Sequence, residues 1–206
     1  APSAKLLSIQ VMDSSGSGDS FTLALGIVEA VDQSASIISM SLGSYGYSPT
    51  LERAIVYAQE NNVILVASTG NDGMGEITYP ARFDGVIAVA AIDAESQRAE
   101  FSNFSDAVDI AAPGVGIYAA WGEENWTSFS GTSAATPFVA GGIAATLSLD
   151  PKLSPQEATN IVLAYADDAS APGIDVNIGN GTLNMDRVLN RDQSGIADAA
   201  LADFYL

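Results

Sequence analysis

No cysteine and no histidine occur among the 206 residues, and lysine plus arginine number 7 against 25 aspartate plus glutamate. Without cysteine there is no disulfide, no thiolate nucleophile and no Cys-ligated zinc or iron–sulfur site. Without histidine the commonest general base, the commonest transition-metal ligand and the neutral-pH switch are all missing. Any catalytic reading therefore has to name another source for its base. The scarcity of basic residues leaves a net charge of −18. Such a field repels a phosphate backbone and an anionic bilayer surface, so neither a nucleic acid nor a membrane is expected as a partner. The chain is nonetheless 48% apolar, which separates it from disordered acidic tails and suits one large domain with a substantial core.

No apolar run reaches the roughly 20 residues that span a bilayer. The opening Ala1-Pro2-Ser3-Ala4-Lys5 has neither the basic n-region nor the apolar h-region of a signal peptide, and no initiator methionine. The chain thus reads as a processed product or an excised segment.

Short apolar runs alternate with amphipathic stretches over the first two thirds. Residues 6–12, 37–42, 63–68, 86–92 and 108–112 are expected as strands, several of them apolar throughout, as when both faces of a parallel sheet are covered. Phe21, Ala24, Leu25, Val28 and Val31 repeat at helical spacing behind Asp19 or Ser20. Leu51, Ala54, Ile55 and Ala58 do so behind Ser48 as cap and Pro49 as first helical residue, with Asn61-Asn62 ending that helix. The alternation implies βαβ units in a doubly wound sheet, with ligand sites beyond the carboxyl ends of strands. Residues 132–149 are apolar or small almost all round and are expected as a buried helix through the middle of the domain. Ser154-Pro155-Gln156-Glu157 opens a further helix with a capping box. The domain is placed at residues 1–190, with a tail over 191–206 to which no role is assigned.

Three segments carry chemistry. Ser130-Gly131-Thr132-Ser133 puts a serine at the very start of the long helix, in its positive field and beside free N–H groups, which suits a nucleophile. Thr132 and Ser133 would equally serve as plain caps. Ala67-Ser68-Thr69-Gly70-Asn71-Asp72-Gly73 ends a strand with an Asn able to donate its amide to an oxyanion, or simply with an Asn-Asp-Gly turn. Ser41-Leu42-Gly43-Ser44 and Ser15-Gly16-Ser17-Gly18 follow strands and leave backbone groups open to an extended peptide, or form flexible loops.

In this order, the segments resemble the subtilisin-like serine proteases, the subtilases, over residues 1 to roughly 186. The resemblance includes Ala1-Pro2-Ser3-Ala4, Ile38-Ser39-Met40-Ser41-Leu42-Gly43, Val66-Ala67-Ser68-Thr69-Gly70-Asn71, Tyr79-Pro80, Ala111-Ala112-Pro113-Gly114, the Gly-Thr-Ser-x-x-x-Pro segment and Gly179-Asn180-Gly181-Thr182. It implies a three-layer α/β/α fold on a mostly parallel sheet, incomplete at its N-terminal part, and serine endopeptidase chemistry on peptide or protein substrates. In that pattern Ser133 is the nucleophile and Asn71 the oxyanion amide. Ser41, Leu42 and Gly43 with Gly16, Ser17 and Gly18 clasp the substrate backbone. Ala67, Ser68, Thr69 and Gly70 with Thr78, Tyr79 and Pro80 line the pocket before the scissile bond, and Asp72 at its rim favours a basic side chain. No catalytic cofactor is required. Many subtilases hold a structural calcium ion, and acidic loops such as Asp167-Asp168 supply suitable oxygens, but no ordered ligand set is readable. The parent protein would be secreted or extracellular.

The pattern breaks at the base. Subtilases present Asp, His and Ser in that order, and the Asp and His segments precede the Ala-Pro-x-Ala element with which this chain begins. Phe138 stands where the family usually has a further, non-catalytic His. Lys5 and Lys152 are the only lysines and are poorly placed for a Ser–Lys pair. The sedolisins use carboxylates in place of His but take an Asp where this chain has Asn71. Two readings follow: a subtilase lacking its Asp and His segments and inactive in isolation, or a non-catalytic relative that keeps the groove for binding peptides. Its partners would be a peptide, and the upstream Asp/His-bearing segment or a second copy of the chain. Trp121, Trp126, Phe101 and Phe104 are expected as core or loop packing. Asn103-Phe104-Ser105, Asn125-Trp126-Thr127 and Asn180-Gly181-Thr182 fit the glycosylation pattern, which matters only in a eukaryotic secretory pathway.

Overall fold

Val86–Ile92 has no polar side chain, so both its faces must be covered. It forms β3, an inner strand of a four-stranded parallel sheet. A computed structural model describes residues 1–122, 125–168 and 173–191. The sheet has the order β1 (Ile37–Met40), β2 (Ile64–Ser68), β3 and β4 (Ile110–Pro113). Successive residues of β2 alternate between two cores. Leu65 and Ala67 face a layer made by α1 (Ser20–Asp32) and α2 (Pro49–Glu60). Ile64 and Val66 face α3 (Thr132–Leu149) and α4 (Pro155–Ala164). The result is a three-layer α/β/α arrangement.

The helices begin where their caps place them. The Asp19 carboxylate accepts from the N–H groups of Phe21 and Thr22, and Ser48 Oγ accepts from Leu51 N ahead of α2. The Ser154–Glu157 capping box is complete in both directions. A short α5 (Met185–Leu189) follows, capped by Asn184.

Four expectations are corrected. Residues 6–12 join no ladder. Ile9 and Val11 instead lie against α1 at Gly26, where an added Cβ would stand 2.4 Å from Val11 Cγ1, while Leu6 is 97% exposed. An extended run becomes a strand only with a backbone partner, and β1 is left at the sheet's edge. Second, α3 is buried on one face only, through Thr132, Ala135, Thr136, Val139, Gly142, Ile143 and Thr146. The sheet covers that face alone, and Pro137, Phe138 and Leu149 remain exposed. Third, its 18 residues and mean hydropathy of 1.2 make it long and apolar enough to cross a membrane, although no single unbroken run in the sequence suggests this. In this fold that apolarity serves packing on the sheet. Fourth, Trp121 and Trp126 are exposed, not packed inside. They lie on an antiparallel hairpin, β5 (Ile117–Trp121) and β6 (Asn125–Phe129), separate from the main sheet. There the aromatic rings cover one another, Tyr118 stacked on Trp126 and Trp121 against Phe129. Of the expected tail, residues 192–206 lie outside the described residues.

Asp109, just before β4, accepts the Ala88 N–H at 2.7 Å through Oδ2. Burial pushes its carboxyl above the usual aspartate value, and the Ala88 bond only partly opposes this. A carboxyl raised on folding makes the charged form a cost above the folded pKa, and that cost vanishes as pH falls below the unfolded value. Asp109→Asn keeps an acceptor for Ala88 and removes the charge. It is expected to raise the melting temperature near neutral pH, by about 2–4 °C per kcal/mol relieved in a chain of this size. The gain should fade as pH falls through the carboxylate range. A thermal scan at neutral and acidic pH checks both parts.

Candidate active site

Gly131 precedes α3 and offers the helix no side-chain cap. The cap comes from another strand end. Asn71, in the loop after β2, accepts Thr132 N–H at 2.8 Å and Thr132 Oγ–H at 2.9 Å through Oδ1. Neither Thr132 nor Ser133 caps the helix itself. With Oδ1 doubly occupied, the Asn71 carboxamide is fixed with its NH2 group turned the other way. A Cβ placed on Gly131 would lie 3.5 Å from Asn71 Nδ2, and 3.7 Å from both Ser133 N and the Asn71 Oδ1 that is committed to Thr132. The two donors therefore border one space, which the bare Gly131 leaves open. Ser133 N is one of the first N–H groups of the helix, which have no intrahelical acceptor. A side-chain amide and a helix-start N–H converging on one point can stabilise a developing oxyanion.

Ser133 is exposed at the surface, and its Oγ donates to the Ser41 carbonyl at 3.2 Å. Ser41 Oγ in turn donates to the Ser133 carbonyl at 2.9 Å. Among the described residues this carbonyl is the only hydrogen-bond partner of the Ser133 hydroxyl. A backbone carbonyl orients a hydroxyl proton but does not take it. Lys152 follows the far end of α3, about 27 Å away along an 18-residue helix, and Lys5 is exposed in the N-terminal segment.

The segments expected to line the substrate groove are brought together in part. Ser44 and Tyr79 exchange both backbone hydrogen bonds, Thr78 N donates to Thr69 O, and Thr78 Oγ donates to Ser68 O. Gly43 lies against Thr78, where a Cβ would stand 2.3 Å from Oγ1. Ser41, Gly43, Gly70 and Tyr79 reach solvent at least partly, with Leu42 half-buried; Ala67, Ser68, Thr69 and Thr78 are buried. Gly16, Ser17 and Gly18 are exposed. Their loop closes on Asp13, whose carboxylate accepts from Ser15 N and Ser17 N, and no hydrogen bond joins it to Ser41 or Ser133. Asp72 is exposed, and one of its oxygens accepts the Tyr45 hydroxyl at 2.6 Å. Burial and this bond push the Tyr45 phenol above its ordinary value.

Two features escaped the sequence reading. An apolar pocket of about 460 Å³ opens beside Ser133, between the hairpin residues Ile117 and Phe129 and the α3 residues Ala134, Pro137 and Phe138. The exposed aromatics near the serine segment were its only trace. The second is Asn103, fully buried, whose carboxamide grips the Asn71 loop and so cannot receive a glycan in the folded chain. Both Asp167 oxygens are engaged, by Arg187 at 2.8 Å and Asn184 at 2.6 Å, and Asp168 accepts from Gly173 N. Burial opposes ionisation of Asp167, but these two donors outweigh it and hold its carboxyl low. Among the described residues no three acidic side chains gather as a metal set.

Gly70 adopts φ +107°, and a Cβ there would stand 2.4 Å from Asn103 Nδ2. Gly70→Ala is therefore expected to cost about 1–3 kcal/mol, combining a conformation unsuited to L side chains with a close contact. Urea denaturation measures the loss, and an unchanged midpoint would contradict the tight approach of these two segments.

The Subtilase family matches residues 1–181. The chain is 39% identical over 187 residues to the thermostable alkaline protease of Halalkalibacterium halodurans, covering 91% of this chain and 51% of that protein. It is 36% identical over 190 residues to subtilisin DY of Bacillus licheniformis, covering 90% and 68%. Among solved structures, the prenylagaramide maturation protease PagA superposes with a TM-score of 0.77 at 36% identity, over 84% of this chain and 68% of that one. A lanthipeptide protease, at 23% identity, shares the fold with a TM-score of 0.81, over 89% and 69%. The chain thus spans about half to two thirds of the length of these relatives. On the match over residues 1–181, the chain belongs to the subtilase family.

Proposed function

We propose that this chain is the serine-bearing part of a subtilisin-type serine endopeptidase, with Ser133 as nucleophile and Asn71 Nδ2 plus Ser133 N as the oxyanion donors. The observation that carries this reading is the convergence of those two donors on the open side of Gly131. In the reaction, Ser133 Oγ bonds to the scissile carbonyl carbon and its proton passes to a base. The carbonyl π electrons move to the oxygen facing Asn71. Collapse breaks the C–N bond, and the leaving amine takes the proton. Water then repeats the sequence on the acyl-enzyme, releasing the acid and restoring Ser133.

The chain contains no histidine, and among the described residues the Ser133 hydroxyl meets only a carbonyl. The base is accordingly assigned to an Asp- and His-bearing segment outside this sequence, on the parent chain or on an associated one. The peptide backbone is assigned to Ser41–Gly43 and Gly16–Gly18, and the side chain before the scissile bond to the Gly70 and Tyr79 side. Asp72 at the rim of that pocket favours a basic residue there. The parent is read as secreted or extracellular. The alternative is a non-catalytic domain that holds peptides without cutting them.

A fluorophosphonate probe separates the two. A nucleophile in an oxyanion hole but without its base retains only about 10³–10⁴-fold over uncatalysed reaction. The chain alone is therefore expected to hydrolyse no peptide measurably and to be labelled slowly, at Ser133, as mapped by mass spectrometry. Supplying the Asp/His segment should bring hydrolysis that Ser133→Ala abolishes. Rapid labelling of the chain alone would show an activating base within it. Continued inertness with the segment bound would support the binding domain.

A further inference from the structure

We propose that Asn103 is a positioning residue for the oxyanion site: its buried carboxamide sets the loop from Thr69 to Met74 so that Asn71 presents Nδ2 to the same space as Ser133 N. The inference rests on the reading of Asn71 and Ser133 given above. A carboxamide has two donor hydrogens and can accept twice at its oxygen. Asn103 uses all four. Oδ1 accepts from Asp72 N at 3.0 Å and Met74 N at 3.1 Å, and Nδ2 donates to Thr69 O at 3.2 Å and Tyr45 Oη at 2.9 Å. Its own N–H donates to Gly70 O at 3.1 Å.

The neighbouring backbone completes the grip. Gly73 N donates to Phe101 O at 2.7 Å, and Phe104 N donates to Met74 O at 3.0 Å. Of the six residues from Thr69 to Met74, five are bonded to the segment 101–104, and Asn71 is the exception. It turns to the opposite side and bonds to Thr132. The loop is therefore held between two fixed walls, with Asn103 behind and the start of α3 in front. Gly70 passes so close to Asn103 that no Cβ fits between them. Asn103 touches no reacting atom. Its effect on chemistry has to pass through Asn71, and that makes it testable by coupling.

The test measures the rate of fluorophosphonate labelling at Ser133 in the full chain for wild type, Asn71→Ala, Asn103→Ala and the double variant. Misplacement of a reacting geometry by about 1 Å costs on the order of 100-fold. Asn103→Ala is therefore expected to slow labelling by about 10–100-fold, and the double variant to react no more slowly than Asn71→Ala alone. Asn103→Asp, which keeps the acceptor for Asp72 N and Met74 N but sets a buried carboxylate oxygen against the Thr69 carbonyl, should not restore the rate. In the wild type, hydrogen exchange should find the amides of Asp72 and Met74 protected like those of β2, a readout that requires no variant to fold. The proposal is overturned if Asn103→Ala reacts at the wild-type rate, if the double variant slows by the product of the two single effects, or if the two amides exchange freely. Failure of the underlying reading looks different: the label then falls on another residue, or on none, in the wild type.

Discussion

Asn71 Oδ1 accepts two hydrogen bonds from Thr132, and this contact joins the end of β2 to the beginning of α3. Everything distinctive about the site depends on it. An asparagine carboxamide free to rotate would present oxygen and nitrogen to the space by Gly131 about equally. Committing the oxygen to Thr132 makes the outward group a donor. The same bonds supply the helix N-terminus with the acceptor its glycine cap lacks, so one side chain both starts the helix and orients the site.

Such a contact is only as good as the rigidity of what it connects. Behind Asn71 lies β2, every residue of which is buried. Behind Ser133, the helix start is tied to the sheet through glycine backbone. Gly114 N donates to Ile92 O at 2.9 Å, and Gly131 N donates to Gly114 O at 2.8 Å. A Cβ on Gly114 would stand 2.5 Å from Ala91 Cβ, so this close stacking depends on the missing side chain. Asn71 thus follows the carboxyl end of β2, and Ser133 is tied through Gly131 and Gly114 to the carboxyl end of β4, on the side where a doubly wound sheet collects its functional groups.

How much of this was legible in the sequence depended on whether the signal was local. Ser154 with Glu157, Ser48 with Pro49, and Asp19 are caps whose physics is complete within four residues, and the helices begin where those residues say. The all-apolar run of β3 permits only a strand covered on both faces, and its bounds match. Residues 6–12 carry a similar pattern but lack a pairing partner, which composition cannot reveal. The hairpin of β5 and β6 was hidden because its aromatic and small residues follow neither a one-sided nor a fully buried strand pattern. Ser133 and Asn71 were recognisable as motifs. Asn103 was not, because its importance lies in contacts to residues about 30 positions earlier, and its sequence context read as a surface sequon.

The missing histidine takes on a more definite meaning beside this geometry. Orientation of the donors costs nothing further once the chain is folded, since their bonds are internal to the sheet, the loop and the helix start. Proton transfer is a separate requirement, and the Ser133–Ser41 pair does not meet it. Two serines exchange hydroxyl–carbonyl bonds, each proton directed at an oxygen far too weakly basic to remove it. Stabilisation of charge and generation of the nucleophile, which act together in a working serine hydrolase, are therefore physically separated here. On the reading proposed above, the first is built into these residues and the second must arrive with another segment. That segment has to reach Ser133 Oγ closely enough to compete with the Ser41 carbonyl for its proton.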